Sequence, residues 1–102
     1  MKGVEIAPED RITFVISKDQ DSPDPLFKAF KFIEKELYPS KVEYGSSFFD
    51  DASGYFIKDG ITVCLEYTNW FGTELFIDKK YSDEEVDKVR KWVERILLAI
   101  RE

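Results

Sequence analysis

Two pairs of carboxylates are the residues of this chain best suited to chemistry. Asp50 and Asp51 are adjacent in a turn-like stretch, and Glu66 and Glu74 meet if the strands that carry them pair side by side. Paired carboxylates can serve as general acid and base, or hold a hard cation such as calcium or magnesium. Asp50-Asp51 lacks the alternating ligand spacing of a dedicated cation loop. The chain has no histidine, which excludes Ser-His, Cys-His and histidine–metal sites. Cys64 is the single cysteine, set mid-strand among apolar residues, and is expected to be an inert thiol. No Gly-x-Gly-x-x-Gly, Walker loop or Cys-x-x-Cys occurs. The expectation is a protein with no catalytic residue, no cofactor and no metal. The alternative is an enzyme or small-ligand protein that works through carboxylates in a pocket between sheet and helix.

A second feature concerns binding rather than catalysis. Ile61–Asp78, ITVCLEYTNWFGTELFID, reads as two strands joined by a tight connection with Trp70 and Phe71 at the turn. Turn residues are usually small and polar because the chain there faces water. Two large aromatics at such a tip either fold back over the core, against Tyr81 or Trp92, or stand ready for a partner. Trp92 borders an apolar helix stripe and reads as core.

These residues need a scaffold, and the pattern supplies one. Arg11–Ser17 is nearly continuous in apolar residues, which suits a central strand covered on both faces. Ser22 or Asp24 can cap a first helix, with Pro23 or Pro25 at its first position. Leu26, Phe30, Ile33 and Leu37 form its apolar face, and Pro39 stops it. Val42–Phe49 reads as a second strand with a bulge or close approach near Gly45. A turn over 50–54, a third strand Tyr55–Lys58 and a two-residue Asp59-Gly60 hairpin follow. Ile61–Tyr67 and Thr73–Ile77 are the fourth and fifth strands. Ser82 and Glu85 form a capping box for a last helix striped by Val86, Val89, Val93, Ile96, Leu97 and Ile100. Glu84–Lys88, Asp87–Lys91 and Arg90–Glu94 have i,i+4 spacing on its outer surface. The order β-α-β-β-β-β-α predicts an α+β two-layer sandwich, residues 1–102 forming one domain. Its mainly antiparallel sheet has about five strands, with both helices on one face.

Strand parity then assigns faces. The Asp59-Gly60 turn places Phe56, Ile61, Val63, Leu65 and Tyr67 on the core face, and Tyr55, Ile57, Thr62, Cys64, Glu66 and Thr68 on the other. A five-residue connection over 68–72 sets Leu65 opposite Leu75 and keeps the core face apolar, at the cost of Glu66 facing Glu74. A four-residue connection avoids that clash but turns Leu75 and Ile77 outward. In the first register the second face carries Tyr55, Ile57, Phe76, Glu66 and Glu74. That surface is covered by the first ten residues, covered by a dimer mate, or left open to a partner.

Composition narrows the partner. The net charge is −6; residues 1–78 hold 15 acidic and 8 basic side chains, and residues 79–102 hold 6 and 7. An acidic field repels phosphate backbones, so direct nucleic-acid binding is not expected, and it favours basic protein surfaces. Met1–Glu5 enters charged sequence without an apolar run, no stretch approaches a bilayer span, and the lone cysteine suits a reducing compartment. The expectation is a cytoplasmic location away from membranes. In size, charge and composition the chain resembles the bacterial immunity proteins, small acidic antidotes to toxins that are often nucleases. That resemblance implies a protein-binding module that masks a basic partner. Glu66, Glu74, Asp50 and Asp51 would meet the basic groups, and Trp70, Phe71 and Tyr55 would anchor the interface. A homodimer built on the open sheet face is a further alternative.

Overall fold

Alternation of apolar and polar residues from Ala52 to Asp78 builds three consecutive strands, and the elements on either side complete a two-layer α+β fold. The computed structural model describes residues 6–46 and 51–101. A short 3-10 turn at Pro8–Asp10 leads into β1 (Arg11–Ser17), then α1 (Asp24–Phe32), which continues as a π-helical turn over Ile33–Leu37. β2 (Lys41–Ser46), β3 (Ala52–Lys58), β4 (Ile61–Thr68) and β5 (Gly72–Asp78) follow, and α2 (Asp83–Ile100) ends the order. The sheet is antiparallel throughout, with strand order β1-β5-β4-β3-β2.

The helices share one face of the sheet. Leu26, Ala29, Phe30, Ile33 and Leu37 meet Val89, Trp92, Val93 and Ile96 over Phe56, Ile61, Val63, Leu65, Tyr67, Leu75 and Ile77 in one core. The β3–β4 turn pairs Lys58 with Ile61 and Tyr55 with Cys64, with Asp59 and Gly60 at φ 53° and 77°, as a two-residue hairpin requires. The Ser82 capping box is closed in both directions: its hydroxyl accepts from the Glu85 N–H at 3.2 Å, and Glu85 Oε1 accepts from the Ser82 N–H at 3.0 Å. Of the expected helix pairs, Asp87–Lys91 closes at 3.5 Å. Lys88 turns instead to Asp59 at 3.7 Å, and Arg90 lies 5.7 Å over the Phe14 ring.

Several expectations are corrected. β1 is an edge strand, not a central one: among the described residues it pairs with β5 alone, its register slips between Val15 and Ser17, and Val15 is 50% exposed. Its apolar run is explained by Ile12, Phe14 and Ile16 packing with the core. Ala52, Ser53 and Gly54 belong to β3 rather than to a turn. Among the described residues the bulge expected near Gly45 does not occur, since β2 keeps one register with β3 from Lys41 to Ser46. The close approach is at Gly54, where a side chain would meet the Glu43 carbonyl and the Tyr44 Cβ. Residues 47–49 of the expected second strand lie outside the described residues. At the start of α1 no side chain caps the helix: Pro23 holds the cap position, and the Ser22 hydroxyl accepts from the Asp24 N–H at 3.1 Å. Among the described residues no helix is long and apolar enough to cross a membrane.

One core position is imperfect. Thr73 is fully buried, and its hydroxyl has no hydrogen-bond partner among the described residues. A buried unsatisfied hydroxyl costs roughly 1–3 kcal/mol. Thr73→Val keeps the shape and removes that cost, so it is expected to raise unfolding stability by about 1 kcal/mol in a denaturant titration.

Candidate functional site

The β4–β5 connection places two adjacent large aromatics in solvent. Thr68 pairs with Gly72, so the loop proper is Asn69, Trp70 and Phe71. The Thr68 hydroxyl accepts from the Phe71 N–H at 3.1 Å and closes the loop. Gly72 adopts φ 76° and lies against β1, where an added Cβ would strike the Ser17 carbonyl oxygen; only glycine fits both demands. The Gln20 side-chain amide donates to the Trp70 carbonyl at 2.9 Å, and the Tyr67 hydroxyl donates to the Gln20 carbonyl at 2.7 Å. The loop after β1 therefore clamps the hairpin tip. Asp19 and Asp21, both exposed, flank Gln20 at the same end of the molecule.

On this fixed backbone Trp70 is 76% exposed and Phe71 67%. Neither folds back over the core. Tyr81, the expected cover, instead accepts the Thr62 N–H on its hydroxyl at 2.9 Å. Trp92 is buried, with its ring 6.0 Å from that of Phe56, in the core role expected of it.

Below the tip the second face of the sheet divides in two. The observed register sets Leu65 opposite Leu75 and Glu66 opposite Glu74, the arrangement the apolar core face demands. The two carboxylates lie two residue pairs, about 7 Å, from Thr68–Gly72. Glu74 is flanked by Val15 on β1, and Glu66 by Ser53 on β3. Both glutamates are half-buried, and neither makes an ion pair among the described residues.

Further down, the face is closed. Ile6, Tyr55, Cys64 and Phe76 form a small buried cluster with Ile57 against it. The Arg11 guanidinium stacks 4.0 Å from the Phe76 ring centroid, and its Nε donates to the Ile6 carbonyl at 2.7 Å. Tyr55 is accordingly not an exposed anchor: it is only 7% exposed, and its hydroxyl donates to Glu43 Oε2 at 2.6 Å. Lys41 sits 5.8 Å from the Tyr55 ring, and the Tyr55 hydroxyl, with Glu43 beyond it, raises the lysine's pKa. Asp51 stands just before β3 at the tip end of the sheet and is half-buried; Asp50 lies outside the described residues. The structure thus gathers Trp70, Phe71, Glu66 and Glu74 at one end and separates Tyr55 from them. Gln20, Tyr67 and Gly72 hold the tip, yet only Gly72 had a local signal, as a glycine closing a turn.

Among the described residues no three of His, Cys, Asp and Glu converge as cation ligands. A shallow groove of about 400 Å³ on the helical layer is lined by Phe32, Arg95, Leu98 and Ala99, with no carboxylate lining it among the described residues. Comparisons with protein-family models, with curated proteins and with solved structures give no match to this chain.

Burial pushes the Cys64 thiol up from 9.0 to about 11, with Arg11 opposing the shift and Glu66 adding to it. The folded thiol holds its proton where the unfolded thiol loses it. Its stabilising contribution is thus complete below about pH 9 and is lost as pH rises towards 11. Chemical denaturation across that window should show stability falling with pH, and less steeply for Cys64→Ala. In the native state a thiol reagent at pH 8 should leave Cys64 unmodified.

Proposed function

We propose that this chain is a small acidic protein-binding module whose contact surface is the Trp70–Phe71 tip together with the Glu66–Glu74 pair. Its partner is a basic protein, and its mode is that of an immunity or antitoxin-type inhibitor covering a basic surface, such as that of a nuclease toxin. A cytoplasmic site of action and no direct contact with nucleic acid belong to the same reading. The observation that carries it is a pair of exposed aromatics on a clamped tip beside two opposed carboxylates. Solvent alone gives no reason to hold a Trp and a Phe outward on a rigid loop. Interface hot spots are enriched in Trp, and a surface already ordered before binding loses little entropy on association. Carboxylates beside such an anchor select a basic partner and speed its approach. Glu66 facing Glu74 costs the free protein up to about 1 kcal/mol, and a cation seated between them would turn that repulsion into attraction.

The test is retention of a basic protein on immobilised chain from source lysate at about 50 mM and about 500 mM salt. A stoichiometric basic partner should bind at low salt and weaken at high salt. Trp70→Ala should lower its affinity by about thirtyfold, the scale of a hot-spot truncation, without moving the chain's own thermal midpoint. Retention indifferent to both salt and Trp70→Ala would sink the proposal. Glu74→Gln separates the two roles of the acid pair: it is expected to stabilise the free chain by up to about 1 kcal/mol while weakening partner binding.

A further inference from the structure

The two edges of the sheet are not alike. β1 is blunted by its register slip between Val15 and Ser17 and is entered from the Pro8–Asp10 turn, which Lys79 ties down through Asp10 at 3.3 Å. β2 has no such device. It runs from Lys41 to Ser46 in one unbroken register with β3, contains no proline, and has no strand on its outer side among the described residues. A straight unpaired edge is a template for another strand.

The side chains on that edge select the strand. Lys41 and Glu43 are exposed on the second face, two residues apart and gathered around Tyr55 by the Glu43 hydrogen bond at 2.6 Å and the Lys41 contact at 5.8 Å. Val42 and Tyr44 are half-buried on the helix side, with Tyr44 stacked at 4.5 Å on Phe30. When two copies of one strand pair antiparallel about a two-fold axis, each residue faces one of the same parity, so only a few registers exist. Pairing about Glu43 sets that carboxylate against itself. Pairing about Tyr44 sets Glu43 against Gly45 and gives Lys41 no acidic residue opposite. Pairing about Val42 places Lys41 opposite the second copy's Glu43 twice over and meets Val42 with Val42. Opposite charges directly across a sheet stabilise it and like charges oppose it, so the edge is self-complementary in one register.

We propose that two copies of this chain associate through β2, antiparallel about Val42, with Lys41 of each copy facing Glu43 of the other in one continuous sheet. The site is remote from the β4–β5 tip, so the inference stands or falls apart from the proposed partner binding.

Sedimentation of the full chain over a concentration series tests it. The wild type should dimerise. Glu43→Lys, which sets lysine against lysine, should raise the dimer dissociation constant about tenfold or more, and Lys41→Glu with Glu43→Lys together should restore it. Glu84→Lys, the same charge change on an exposed position of α2, should leave the dimer unchanged. Circular dichroism identifies any variant that fails to fold. Val42→Cys gives an independent readout: on oxidation it should form a disulfide-linked dimer, whereas Glu43→Cys, which faces Lys41, should not. A wild type monomeric up to about 1 mM would overturn the proposal. So would a Glu43→Lys dimer of unchanged affinity, a folded double variant that stays monomeric, or equal crosslinking at positions 42 and 43.

Discussion

Leu65 opposite Leu75 is the contact on which the rest of the molecule depends. Both side chains are buried, and each contributes roughly 1.5–3 kcal/mol by leaving water. Shifting β5 by one residue would turn Leu75 and Ile77 to the mixed face and forfeit several kcal/mol. The same register forces Glu66 against Glu74, a repulsion of up to about 1 kcal/mol. The apolar term wins by a factor of several. The acid pair is therefore a consequence of core packing, and it persists because nothing on that face outweighs the core. The register also fixes the loop at three residues and sets Thr68 across from Gly72, which brings Trp70 and Phe71 to the end of the sheet.

That loop would be a poor binding element if it were loose. Three long-range constraints hold it. Gly72 lies against the β1 backbone in a conformation no other residue adopts cheaply, Gln20 grips the Trp70 carbonyl, and Tyr67 grips the Gln20 carbonyl. The clamp comes from the loop between β1 and α1, fifty residues away in sequence. An edge strand thereby acquires a second role: β1 covers one side of β5 and delivers the loop that holds the tip.

Much of this is legible from local pattern. Period-two alternation gives the core face of β3 and β4 residue by residue, Asp59-Gly60 gives their register, and Ser82 with Glu85 gives the start of α2. Strand order is less legible, because the position of β1 in the sheet is not a local property. Ile12, Phe14 and Ile16 would be apolar in a central strand or in an edge strand lying over the helices, and only the exposure of Val15 separates the two. For Tyr55 the sequence offers cover by the first ten residues only as one of three alternatives. Its face was assigned by parity, but its cover is Ile6, which arrives from the far side of the Pro8–Asp10 turn. The clamp on Trp70 rests on hydrogen bonds across about fifty residues, which no window of sequence contains.

The division of the second face follows from the same physics. Tyr55, Cys64 and Phe76 are too apolar to leave in water, and Ile6 and the Arg11 guanidinium cover them. Arg11 suits this place because its planar cation stacks on Phe76 while its Nε satisfies the Ile6 carbonyl, so the strap is held by one side chain at two points. Glu66 and Glu74 need no such cover, since solvent stabilises them better than any apolar strap would. The boundary between the closed and open halves therefore falls where the side chains change from apolar to charged, between the Cys64–Phe76 pair and the Glu66–Glu74 pair. What remains open is the charged half with the clamped aromatic tip at its end, so the half-buried acid pair and the exposed aromatics lie together because one register produced both.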